Sequence, residues 1–206
     1  MTHTLHRRGS RESLSKDYTV LTIPAQGHND PGSDPKMAEF LRTALPHNPK
    51  NIGSLKMNMY SHSAEDVVGH ASKLGHAVFD NATAVTAFLK DLKEKDLGMS
   101  VVVGGILDTV NEAVHAAGLK RHTVEVSLGV WGNTDRLPAE EILEITTMCG
   151  HGMVSANLVK AMAEDVKAGR RSPTEAANKL LAPHCTCGVF NPARAADLLA
   201  AMANKE

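Results

Sequence analysis

Aromatic side chains are nearly missing from this chain: one Trp, two Tyr and four Phe make up 3% of its 206 residues. That scarcity removes the stacking platforms on which single-strand nucleic-acid binders rely. A formal net charge of −1 likewise removes bulk attraction to phosphate backbones and acidic membrane surfaces. The expectation is a protein without a nucleic-acid or membrane partner. No apolar run approaches the roughly 18 residues that a bilayer span needs. The opening MTHTLHRRGSRESLSKDYTV carries basic groups but no apolar secretory segment. Cysteines number only three, too few and too odd a count for a disulfide framework. The expected setting is a reducing cytoplasm.

What is present is an ordinary globular composition, 42% hydrophobic and 22% charged, long enough to bury a core without covalent staples. Residues 1–16, with His3, His6, Arg7, Arg8 and Arg11, hold little that packs and read as a flexible arm. YTVLTI (18–23) alternates and ends at Pro24, a strand. AQGHNDPGSDP (25–35) is a long loop, after which Ser33 or Asp34 caps a helix with Pro35 in its first turn, reaching about Leu45. Further on, a short helix with Val67, Val68 and Ala71 leads to HAVF (76–79), a strand. Val85, Phe88, Leu89 and Leu92 then fall at helical spacing. MSVVVGG (99–105) predicts a central buried strand, and Leu107, Val110, Val114 and Ala117 a helix that Gly118 stops. VEVSLGVW (124–131) alternates and predicts one more strand. The fold class is therefore α/β, a mixed (ferredoxin-like) or parallel sheet layered with helices.

After residue 134 strand signals cease. Helices are predicted from Pro138, from Met153 to about Lys167, from the capping box SPTE (172–175), and from Asn191-Pro192. The organisation expected is an arm (1–16), an α/β domain (17–134) and a C-terminal helical subdomain (135–206).

All three cysteines fall in that helical third. Cys149 lies in MCGHGM, a glycine-bracketed corner between two helices, and Cys185 and Cys187 lie in HCTCG, between the next two. On this reading each thiol precedes a helix N-terminus, where unpaired amides and the dipole favour thiolates. Three thiolates with His151, or with His184, could close around zinc. Three thiolates alone could hold a [4Fe–4S] cluster with one iron open. Structural zinc prefers two to four residues between paired cysteines, and C-G-H and C-T-C have one, which favours the cluster. Copper or nickel is a further option, with Met148 and Met153 at hand. A redox dithiol lacks the usual two-residue spacing. The pattern C…C-x-C-G, here Cys149, Cys185 and Cys187 followed by Gly188, is similar to the motif of the A-type iron–sulfur carriers. The likeness spans about a dozen residues. Those carriers are small and β-rich while these cysteines sit among helices, so it is a likeness of chemistry. The alternative to all of these is that the cysteines are small core residues.

A ligand site elsewhere is expected at the loop 24–34, where His28, Asn29 and Asp30 follow the first strand, and at the Gly104-Gly105 corner. A small polar or anionic ligand would suit either, although a tight strand-to-helix turn is the favoured explanation of the glycines and a solvated connection explains the loop equally well. Three roles for the cysteine centre follow: catalysis or electron transfer at an open iron, carriage of a metal or cluster, or a structural zinc pin. A polar pocket touching the centre, lined by His28 or Arg7, marks the first. An exposed centre without a pocket marks the second, and full apolar enclosure the third.

Overall fold

The computed structural model of the chain describes residues 6–55, 57–181 and 189–205. Strand β1 (Tyr18–Thr22) leads to helix α2 (Asp34–Ala44), β2 (Asn51–Ser54), α3 (Ala64–Gly69), β3 (Gly75–Phe79), α4 (Ala82–Lys95), β4 (Val101–Gly104) and α5 (Leu107–Ala116); a single turn, α1 (Arg11–Leu14), precedes them. The strands form one sheet in the order β2-β3-β1-β4, the split β-α-β arrangement. Every ladder is antiparallel, with Val20 opposite Ala77 on one side and Val103 on the other. The sheet is thus neither mixed nor parallel: α2 and α4 each carry the chain past one strand, and α3 joins the antiparallel neighbours β2 and β3.

Local chemistry explains the elements. Ser63 and Asp66 close a capping box on α3, and Asn81 accepts from the Ala84 amide to start α4. Helix α4 buries Val85, Phe88, Leu89 and Leu92, the row its periodicity predicts. On the helical face of the sheet, Tyr18, Val20, Ile52, Ala77 and Phe79 meet Phe40 of α2 and Phe88 of α4. Phe88 packs edge-on to Phe40 with ring centroids 5.2 Å apart and lies 5.4 Å from Phe79. Three of the four phenylalanines are therefore spent in one contact. Leu21 and Val78 point the other way, onto Val189.

Two strand expectations need correction. Residues 99–105 do not form a central strand: β4 is an edge strand whose Val102 is 36% exposed. Residues 124–131 are not a strand, and Leu128 and Trp131 are each 83% exposed. β2 carries no alternating apolar pattern (NIGS) and escaped the sequence reading.

The C-terminal helices are α6 (Glu140–Thr146), α7 (Ala156–Lys167), α8 (Pro173–Leu181) and α9 (Pro192–Ala203). The expected box at Ser172 and Glu175 caps α8, with the Ser172 amide donating to Glu175 Oε2 at 2.8 Å. These helices enclose a cluster of their own that includes Ile145, Cys149, Val159, Leu180, Phe190 and Leu199. Apart from the Val189 contact, what joins them to the sheet is polar. Asp17, just ahead of β1, is fully buried and takes Arg7 Nη1 at 2.5 Å and Arg194 Nη1 of α9 at 2.9 Å. Arg194 also donates to Ser13 Oγ at 2.9 Å, to the Arg8 carbonyl at 2.7 Å and to Glu144 of α6 at 3.4 Å. Asn191, the N-cap of α9, donates to the Lys16 carbonyl at 2.8 Å. Residues 6–16, which composition marks as an arm, are thus tied into the junction.

Removing the acid from this junction leaves two guanidinium groups buried against each other. Asp17→Ala is expected to cost about 3–5 kcal/mol, as for one partner lost from a buried pair. Urea unfolding measures it; a loss under about 1 kcal/mol would show that solvent reaches the junction.

Candidate functional site

Cys149 is buried, at 3% exposure, in the corner between α6 and α7. Its place differs from the expected one. Helix α7 begins only at Ala156, with Ser155 as N-cap, so Cys149 follows the C-terminus of α6 and does not adjoin a helix start. There the dipole and the exposed carbonyls oppose a thiolate. The compensating charge is Arg7, whose Nε donates to the Met148 carbonyl at 2.9 Å. The Arg8 amide donates to Thr147 Oγ1 at 3.1 Å, so two consecutive arm residues bond the turn that follows α6.

Burial pushes the Arg7 guanidinium below its ordinary value, while Asp17 and the nearby Cys149 sulfur pull it back up against the repulsion of Arg194. Its side chain is 5% exposed, and its Nη2 has no hydrogen-bond partner among the described residues. An unmet buried donor costs about 1–3 kcal/mol and calls for an acceptor. Gly150 and Gly152 have φ of +70° and +66°, the left-handed region that suits glycine, and they set exposed His151 on a sharp bend between them.

His184, Cys185 and Cys187 lie outside the described residues. Among the described residues no three His, Cys, Asp or Glu side chains gather as a metal site. Leu181 and Phe190, on either side of residues 182–188, belong to the same buried cluster as Cys149.

The second expected site is divided. Asn29, Gly104 and Gly105 line a cavity of about 850 Å³ between the open edge of β4 and residues 119–127. His28 and Asp30 do not line it. The loop's polar groups serve the loop itself: Asn29 Oδ1 accepts from the Ala25 amide at 2.7 Å and Asp30 Oδ1 from the Gly27 amide at 2.9 Å. Asn29 Nδ2 reaches the Gly98 carbonyl at 3.1 Å, pinning the loop to the turn before β4. The Gly104-Gly105 corner has a packing cause as well, since a β-carbon on Gly105 would stand 2.6 Å from the Tyr18 ring and 3.0 Å from Val110.

A cavity outside the expected sites lies between the arm and α6. It measures about 610 Å³ and is lined by His6, Arg7, Arg8, Ser127 and Glu140, with Leu137 and Leu143. Arg8 grips Glu140 with two bonds, Nε–Oε1 at 2.8 Å and Nη2–Oε2 at 2.6 Å. His6 Nδ1 lies 2.9 Å from Ser127 Oγ. Only the basic run HRR was a signal, and composition assigned it to a solvated arm. No helix of the described residues is long and apolar enough to cross a membrane.

Compared with protein-family models, with curated proteins and with solved structures, the chain shows no match in any of the three.

The glycine corner is testable as packing. Gly105→Ala forces the Tyr18 ring aside and is expected to cost about 1–3 kcal/mol, the range for overpacking. Urea denaturation reads this directly, and an unchanged midpoint would return the corner to the list of ligand sites.

Proposed function

We propose that this chain is a metalloprotein whose cysteines Cys149, Cys185 and Cys187 hold a [4Fe–4S] cluster with one iron open for catalysis or electron transfer. The observation that carries the reading is the charge beside Cys149. A buried guanidinium with an unmet donor bonds the carbonyl of Met148, the residue just before a thiol that follows a helix C-terminus, where no thiolate would otherwise be favoured. A plain core cysteine has no use for it, whereas a thiolate, or a sulfide bonded to iron, accepts such a donor.

The flanking residues support the same centre. Leu181 and Phe190, the described residues that flank the segment of Cys185 and Cys187 in sequence, share the buried cluster of Cys149. When bound, the cluster would supply a Lewis-acidic or redox-active iron. The chain's own part would be to hold it by thiolates, keep water off Cys149 by burial, and balance its negative charge with Arg7. Of the three roles set out from sequence, the enzyme reading is favoured over a carrier or a zinc pin, because Arg7 also lines the 610 Å³ cavity. His151, exposed in its glycine bend, is the better fourth group of the two histidines if zinc is the metal.

Protein purified without oxygen is expected to be brown, with iron and acid-labile sulfide and a broad band near roughly 400 nm from thiolate-to-iron charge transfer. Cys149→Ser and Cys187→Ser should each bleach it, since a hydroxyl replaces a soft thiolate poorly. His151→Ala should leave most of the colour. Colourless protein with one tightly held zinc, lost on changing His151, would establish the structural site in its place.

A further inference from the structure

The cavity between the arm and α6 has the size of a small-molecule site and two unlike walls. Leu137 and Leu143 give it an apolar floor, and the arm lays charged groups over its rim. We infer that it binds a small carboxylate with a short apolar body, and that Arg8 is the residue that holds the carboxylate.

The argument rests on Glu140. Its carboxylate meets the fork of Arg8 through two parallel bonds of 2.8 and 2.6 Å, the planar match of guanidinium to carboxylate. Both partners line the cavity. Both are also wet: the Arg8 side chain is 33% exposed and that of Glu140 54%. A pair in that setting contributes about 0–1 kcal/mol, so an incoming carboxylate displaces Glu140 into solvent at small cost and inherits its geometry. The buried Arg7–Asp17 pair, at 5% and 0% exposure, cannot exchange in this way.

The roof of the cavity is suited to the task. His6 holds Ser127 at 2.9 Å, and the following residues carry Gly129 and Gly132 at φ of +94° and +100°. Val130 lines the cavity, and the exposed Trp131, the only tryptophan of the chain, is its neighbour. Arg7 belongs both to the cavity wall and to the surroundings of Cys149. Use of the bound carboxylate as a substrate rests on the cluster reading above. The binding itself does not.

The experiment is a titration of the full chain, as purified without oxygen, followed by Trp131 fluorescence and by calorimetry. The probes are butyrate, its neutral amide and inorganic phosphate. Butyrate should bind saturably and the amide should not. Arg8→Gln should weaken butyrate at least tenfold, the worth of a lost charge-assisted bond pair. Glu140→Gln, which removes the internal competitor, should tighten it about threefold. The Arg8 side chain is half-buried and that of Glu140 exposed, and neither belongs to the buried Asp17 junction, so folding is not at stake. Three results would overturn the inference: no saturable signal by either method, tighter binding of phosphate than of butyrate, or weakening by Glu140→Gln alongside Arg8→Gln. Butyrate binding to colourless protein would keep this site and remove the cluster; brown protein indifferent to butyrate would do the reverse.

Discussion

One fully buried carboxylate, that of Asp17, orders the junction of this molecule. Two guanidinium groups from opposite ends of the chain, Arg7 and Arg194, share its two oxygens. Neither arginine could be buried alone, because an unpaired buried charge costs several kcal/mol even after relaxation. Burial of Asp17 therefore ties both the arm and α9 to the start of β1. Asn191 reinforces the arrangement, since its amide reaches the Lys16 carbonyl while its own oxygen caps α9. Sheet and helices thus meet through a polar knot, with Val189 supplying an apolar contact on the far face of the sheet.

The knot has a consequence for Cys149. A helix end followed by a buried thiol is electrostatically a poor place for a thiolate. By holding Arg7 in position, Asp17 brings a cation to the Met148 carbonyl, next in sequence to Cys149, whose charge would in turn favour the guanidinium. Arg7 is thus a positioning residue in two respects: it holds the turn after α6, and it sets a positive charge near the thiol. Arg194 raises the local positive charge further, although Glu144, 3.4 Å from it, offsets part of that.

Helices were the legible part of this sequence. Their caps are local chemistry: Ser172 with Glu175 and Asn191 with Pro192 stand where the pattern predicts them, and Gly118 ends α5 in the left-handed region. Strands were less so, because a ladder depends on a distant partner. NIGS is a strand only because β3 lies beside it, and VEVSLGVW alternates without any ladder among the described residues. Of the candidate site, Cys149 was legible from its glycine-bracketed corner, yet its electrostatics were not. The residue that sets them is 142 positions away, in a run whose composition reads as solvated. In the loop at 24–34 the side chains that read as ligand groups have local partners: Asn29 and Asp30 accept from the loop's own backbone amides.

Arg7 and Arg8 are neighbours in sequence and share a charge, yet their surroundings give them opposite physical characters. Arg7 is sealed against Asp17 and Met148, where breaking a contact exposes a lone buried charge and costs several kcal/mol. Arg8 faces water and Glu140, where an ion pair forms and breaks for less than about 1 kcal/mol. The first character suits a permanent charge beside a fixed centre, and the second suits an exchangeable grip on something that arrives and leaves. The Arg8 backbone serves the permanent side: its amide binds Thr147 and its carbonyl takes Arg194. The side chain can therefore let go of Glu140 without disturbing the junction that holds its own main chain.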